Sequence, residues 1–139
     1  MSAPSARNEQ PWHFLVVNDR KLLDKIAEIH PYAKMCTQAT LAIIPCVDSS
    51  IEEFRTYWVQ NLSAASQNIL LAASAFGLGS VWVGVYPKEA RVKEIQSIFK
   101  LPNNIVPLNV IPIGHTDMKQ EVANRYQADR VHYNHWQLK

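Results

Sequence analysis

Pro4-Ser5-Ala6-Arg7-Asn8 gathers a hydroxyl, a primary amide and successive backbone N–H groups in one turn, with the amide of Gln10 just beyond. Such a set can hydrogen-bond the edge of a planar polar ligand, and Pro4 would fix φ where the turn begins. An ordinary loop leading into a strand has the same composition, so these residues alone leave both readings open. Gly84, next to Val83, interrupts the apolar run Ser80–Tyr86. A glycine there suits the close approach of a ligand or another backbone. Arg130 carries a planar fork that could pair with a phosphate, or simply sit in solvent.

Other chemistries lack their residues. There is no GxSxG, no HExxH and no Walker-type glycine loop. Gly77–Ser80 (GLGS) lies after a helix and before a strand, the wrong order for a dinucleotide fingerprint. The five histidines are dispersed, and His132 and His135 have no third ligand beside them, so no metal site is expected. Cys36 and Cys46 sit among apolar neighbours and read as reduced core residues. A net charge of +2 without a basic cluster argues against nucleic acid. No apolar stretch reaches the ~18 residues of a membrane span, and the first residues lack a signal-peptide pattern. The expectation is a cytoplasmic protein with one domain over residues 1–139, since 47% hydrophobic and 19% charged residues is ordinary globular composition.

These candidate residues need elements to hold them. Trp12–Val17 reads as a strand buried on both faces. Asn18-Asp19 offers a helix cap, Leu22, Leu23, Ile26, Ala27 and Ile29 give an apolar stripe, and Pro31 ends that helix. A short helical piece near Tyr32–Gln38 precedes a second buried strand, Thr40–Val47. Asp48–Trp58 is a loop or short helix that would suit a mobile flap. Leu62–Phe76, capped by Asn61 or Ser63, is the strongest helix. Its small and apolar residues predict burial nearly all round, with Gly77-Leu78-Gly79 closing it. Ser80–Tyr86 is a third strand. Pro87 then opens a helix with Val92, Ile95, Ile98 and Phe99 on its face. Ile105–Ile113 is a fourth strand, and Gly114-His115 a turn. Beyond the polar linker Asp117–Asp129, Val131, Tyr133 and Trp136 form a strand-like apolar set that needs a surface. A partner subunit or the chain's own domain could supply it.

Three ordered stretches together resemble the nitroreductase family: APSARNEQPWHFLVV, then QNLSAASQNILLAASAFGLGSVWVGVYP, then VIPIGH followed by NRYQADRVHYNHW. They span the chain almost end to end. The resemblance implies an α+β fold, a mostly antiparallel sheet wrapped by helices. It also implies an intertwined homodimer whose C-terminal tail extends onto the partner, with FMN at the interface. Pro4, Ser5, Ala6 and Asn8 match loop positions that reach the flavin from the partner subunit, and Gln10 matches a residue beside it. Val83 and Gly84 match backbone lying against the isoalloxazine ring, and Arg130 matches a tail arginine on the FMN phosphate. The implied activity passes electrons from NAD(P)H through the flavin to a nitroaromatic, quinone or similar acceptor. The flavin supplies that chemistry, so no dedicated catalytic acid or base is expected.

Two departures accompany the resemblance. Family members carry an Arg-Arg-Ser-x-Arg-like segment and a helix ahead of the serine loop, whereas Met1-Ser2 stands directly before APSARN here. An N-terminally shortened chain is therefore expected to hold FMN roughly 100- to 10,000-fold less tightly, for want of two phosphate contacts. The alternative implied function is a catalytically incomplete flavin-binding or structural homodimer. Asn61 stands where many relatives have an acidic residue, and an amide can still cap.

Overall fold

In the computed structural model, residues 1–51, 56–118 and 123–136 are described. The centre of the fold is β2 (Leu41–Asp48). It pairs antiparallel with β1 (Trp12–Val17) along its length, from Val17 opposite Ala42 to Trp12 opposite Val47. Its other edge takes β5 (Ile105–Pro107) and β6 (Asn109–Gly114). β6 in turn pairs with β3 (Gly79–Ser80) and β4 (Val83–Gly84). Every pairing is antiparallel, as an α+β fold of this kind requires.

Strand alternation sends side chains to two different cores. Ala42, Ile44 and Cys46 of β2 pack with Leu23 and Ile26 of α1 (Arg20–Ile29) and Ile95 of α3 (Glu89–Phe99). On the opposite face Val47 and Trp12 pack with Leu62 and Ala65 of α2 (Trp58–Ala75). The sheet is thus covered by α1 and α3 on one side and α2 on the other. Burial pushes the Cys36 thiol up to about 11 against the pull of Arg20, and the Cys46 thiol up to about 12. Both are free and buried, as expected of inert core cysteines.

Several expectations are met with a physical cause. Asp19 caps α1, its Oδ1 accepting from the Leu22 N–H at 3.0 Å. Gly77 closes α2 at φ +70°, and the Leu78 N–H reaches back to the Ala73 carbonyl at 2.9 Å. That six-to-one bond needs a left-handed residue, which glycine supplies without strain.

Others are corrected. β1 is not buried on both faces: among the described residues it is an edge strand, and Val16 is 58% exposed on a face that no helix covers there. Helix α2 starts at Trp58, with Tyr57 before it giving no side-chain cap, so Asn61 and Ser63 lie inside the helix. Nor is α2 buried all round: Asn61, Leu62, Ala65, Ser66 and Ala73 face inward, while Leu71 is 59% exposed. The expected strand Ser80–Tyr86 pairs with β6 only at Ser80 and at Val83–Gly84. One register runs through both, so Val81 falls opposite Pro112, which has no N–H to give a ladder. The expected strand Ile105–Ile113 is broken by a bulge, since the register against β2 shifts by one residue between β5 and β6. Leu108 and Asn109 share the place opposite Pro45, and Leu108 donates to the Pro45 carbonyl at 2.9 Å.

The tail is not a strand. Ala128–Arg130 is a short 3-10 turn, Tyr133–His135 bends, and Tyr133 and Trp136 are largely exposed. Residues 52–55, within the stretch expected to form a flap, and residues 119–122, within the polar linker, lie outside the described residues. Among the described residues no His, Cys, Asp or Glu cluster could hold a metal ion, and no helix is long and apolar enough to cross a membrane.

Candidate functional site

The serine loop is held in a conformation that ordinary loops avoid. Arg7, Asn8 and Gln10 all have left-handed backbones, at φ 54°, 57° and 50°. Each such non-glycine residue costs about 1–2 kcal/mol, and strain of this kind concentrates at ligand sites. The loop's own bonds hold it there. The Gln10 N–H donates to Ser5 Oγ at 3.0 Å, and Gln10 Nε2 donates to Asn8 Oδ1 at 2.9 Å. In addition the Asn8 N–H donates to the Ser5 carbonyl at 3.0 Å. These bonds use acceptors of Ser5 and Asn8, so the Ser5 O–H and the Asn8 Nδ2 still have hydrogens to give. Both are donors suited to a polar ring edge.

From below, the loop is tied to α2. The Ala6 N–H donates to Asn61 Oδ1 at 3.0 Å, from a side chain only 4% exposed. Asn61 faces the loop because the helix starts a turn earlier than a cap rule suggests. Five positions on, Ser66 Oγ donates to Asn109 Oδ1 at 3.3 Å. Asn109 is opposite Gly84 on β4. The bulge is what turns it: Leu108 packs on the α2 side, and Val110, two residues later, packs on the α1 and α3 side. An unbroken strand would put both on one face.

Gly84 differs from the other three glycines. Gly77 needs its positive φ, a Cβ on Gly79 would come within 2.9 Å of Thr116 Cγ2, and a Cβ on Gly114 would press on the Thr40 N at 3.4 Å. Among the described residues, a Cβ at Gly84 would meet nothing nearer than Trp82 Nε1 at 3.9 Å, and φ lies outside the left-handed region. The chain's own packing and backbone therefore give no reason for glycine there. Val83 and Val85 point into the core with α1 and α3, leaving Gly84 on the other face. An open hollow of about 1060 Å³ borders Trp82, with Met35, Leu70, Ser74 and His115 also in its wall. The Gly84 carbonyl is 2.8 Å from His30 Nε2 and accepts from Arg91 Nη1 at 3.2 Å.

The structure thus groups Pro4, Ser5, Ala6, Asn8 and Gln10 in one loop and Val83 with Gly84 on β4. Through Asn61, α2, Ser66 and Asn109 it links the two. Arg130 is exposed in the tail turn, and no described hydrogen bond joins it to either group. His30, Ser66, Arg91 and Asn109 were not singled out from sequence, and Asn61 was singled out only as a helix cap. Asn109 could have been, as a lone amide in the apolar run Ile105–Ile113. Among the described residues, the Asn61 and Asn109 Nδ2 atoms are buried without a hydrogen-bond partner.

A strained donor loop, a sheet strand with an unexplained glycine, and a covering helix of small residues describe a site for a flat ligand. Residues 32–115 match the model of the nitroreductase family, and the chain belongs to that family of oxidoreductases. It is 48% identical over 136 residues to a Methanothermobacter thermautotrophicus protein provisionally assigned as an NADH dehydrogenase/NAD(P)H nitroreductase, spanning 98% of this chain and 71% of the relative. A solved Bacteroides thetaiotaomicron structure with the same assignment superposes with a TM-score of 0.92 at 48% identity, covering 98% of this chain and 79% of its own. A Desulfovibrio desulfuricans protein provisionally assigned as a nitroreductase, solved in complex with FMN, superposes with a TM-score of 0.78 at 26% identity, covering 97% and 78%.

Proposed function

We propose that this chain is one subunit of a cytoplasmic FMN-dependent homodimer that passes electrons from NAD(P)H to a nitroaromatic, quinone or similar small acceptor. The observation that carries the reading is Gly84, a strand glycine that neither φ nor internal packing requires. A planar ring system against that backbone would require it. FMN would take a hydride from NAD(P)H there and hand electrons on to the acceptor.

The chain's own part is to bind and orient. The Ser5 O–H and Asn8 Nδ2 serve the polar edge of the ring, with Pro4, Ala6 and Gln10 shaping the loop that presents them. Val83 and Gly84 lie against its face. Arg130 pairs with the phosphate through its fork. Support for a second copy comes from the exposed apolar surface of α2 and the tail: Leu71, Phe76 at 82% exposure, Tyr133 and Trp136. Surface of this kind is normally covered in an assembly. In the homodimer, the serine loop of one subunit and the β4 strand of its partner enclose one flavin.

The test is titration of the purified chain with FMN, followed by NADH and NADPH oxidation with benzoquinone and nitrobenzoate as acceptors. Saturable quenching of flavin fluorescence and acceptor-dependent oxidation are expected. A chain that leaves flavin fluorescence unquenched at high micromolar concentration would overturn the reading.

A further inference from the structure

Gly84 sits at the free edge of β4, which pairs on its other side with β6 alone. A carbonyl on such an edge is normally left to water. Here two side chains from different elements converge on it. His30, the residue closing α1, is 2% exposed and places Nε2 at 2.8 Å from the Gly84 oxygen. Arg91, in the first turn of α3, donates from Nη1 at 3.2 Å. The histidine's other nitrogen settles its tautomer: Nδ1 accepts from the Tyr32 N–H at 3.2 Å, so Nε2 carries the hydrogen and donates to Gly84. Tyr32 closes the group, its ring edge-on to His30 and lying under the Arg91 guanidinium at 5.9 Å. The N–H of the same peptide unit, on Val85, donates to the Leu108 carbonyl at 3.1 Å. The Gly84–Val85 peptide is therefore clamped at both ends.

We propose that His30 and Arg91 are positioning residues for the flavin, fixing the Gly84–Val85 peptide plane so that the bare Cα face of Gly84 meets the ring. This rests on the flavin site proposed above. Neither side chain touches the ring in this role. They act through one carbonyl, and a peptide free to rotate would raise either an oxygen or an N–H into the ring's space. A buried histidine that merely caps an edge carbonyl would stabilise the chain equally with and without flavin. A positioning pair affects flavin contact beyond chain stability.

The test compares the parent with Arg91→Met, Arg91→Lys, His30→Leu and His30→Gln, each titrated with FMN and with riboflavin and each melted without ligand. Arg91→Met should weaken both flavins about tenfold, the effect of one lost charged hydrogen bond. It should also shift the bound flavin's visible absorption, and the loss of affinity should exceed any change in ligand-free stability. Arg91→Lys and His30→Gln, which keep a donor, should recover part of the affinity that Arg91→Met and His30→Leu lose. Weakening of FMN alone would make Arg91 a phosphate ligand and overturn the proposal. So would parental affinities and spectra in all four variants. A parent that binds neither flavin removes the site reading and this proposal together. A parent that binds FMN, loses it on Gly84→Val and keeps it on Arg91→Met leaves the site reading standing and removes this proposal.

Discussion

Substituting Gly84 by alanine separates what the chain needs from what a ligand needs. The added Cβ meets only Trp82 Nε1 at 3.9 Å, an ordinary contact, and the backbone is not left-handed. Replacing glycine at a compatible backbone position stabilises by roughly 0.4–1 kcal/mol, because the unfolded chain loses freedom. The ligand-free variant should therefore melt at or slightly above the parent, by about 1–4 °C for a chain of this size. A ring stacked on this backbone would instead meet a methyl group where it now meets Cα hydrogens. Overpacking of that kind costs about 1–3 kcal/mol, so FMN should bind roughly 5- to 150-fold more weakly. Gly79→Ala is the control. Its Cβ would come within 2.9 Å of Thr116 Cγ2, so the loss of about 1 kcal/mol should appear in the melting temperature of the ligand-free chain. Scanning calorimetry and flavin fluorescence titration give the two readouts. The reasoning fails if Gly84→Ala lowers the ligand-free melting temperature, or if it binds FMN as tightly as the parent.

Asn8→Ala and Arg130→Ala should each weaken FMN by about 1–3 kcal/mol, and only Arg130→Ala should spare riboflavin, which has no phosphate. If both variants titrate like the parent, the loop and tail assignments are wrong. Sedimentation of the FMN-loaded chain at micromolar concentration should show a dimer, and a monodisperse monomer would remove the shared site. The Asp48 carboxyl is held below its ordinary range by the Ser50 hydroxyl and N–H and by the Asn104 amide, with His13 assisting. A depressed folded value means these bonds stabilise above the unfolded pKa of about 3.9 and are lost as pH falls through the folded one. Urea midpoints of parent and Asp48→Asn should therefore differ at neutral pH and converge toward acid; a constant gap would refute the assignment.

Much of the fold was legible because its signals are local. The Asp19 cap, the Pro31 stop and the Gly77 closure each depend on residues within a turn of one another, and all three stand as read. The misreadings arise where a distant segment decides. Burial of β1 depends on which distant elements cover its two faces, and the apolar run Trp12–Val17 does not carry that. The start of α2 was placed by a capping rule at Asn61, yet the helix runs back to Trp58 with no side-chain cap. The amide that looked like a cap serves the Ala6 N–H 55 positions away. The bulge at Leu108 and Asn109 is a difference of register against β2, which a single strand's pattern does not carry. In the site, the loop and the glycine were visible as residue types. The groups that hold them were hidden, because His30, Asn61 and Asn109 acquire their roles only through partners far along the chain.

Two independent features of the chain meet at β4. One is an absence: a glycine inside a strand weakens it, and here neither φ nor a close internal contact compensates. The other is a presence. A buried polar side chain is costly unless its bonds are made, so a fold retains it where those bonds hold something in place. Among the described residues the buried polar side chains are His30, Asn61, Ser66 and Asn109. His30 bonds to the Gly84 carbonyl, Asn109 lies opposite Gly84 and takes the Ser66 hydroxyl, and Asn61 ties down the serine loop. If these residues were only filling the core, apolar side chains of similar volume would serve at least as well. Instead the Ser66–Asn109 bond joins α2 to β6 opposite the open glycine, and the bonds of Asn61 and His30 run to the strained loop and to the strand with that glycine. Those two elements also carry the ring contacts proposed for the flavin. The polar interior and the missing Cβ thus have one explanation, a backbone surface held rigid for a flat ligand that the chain does not itself provide.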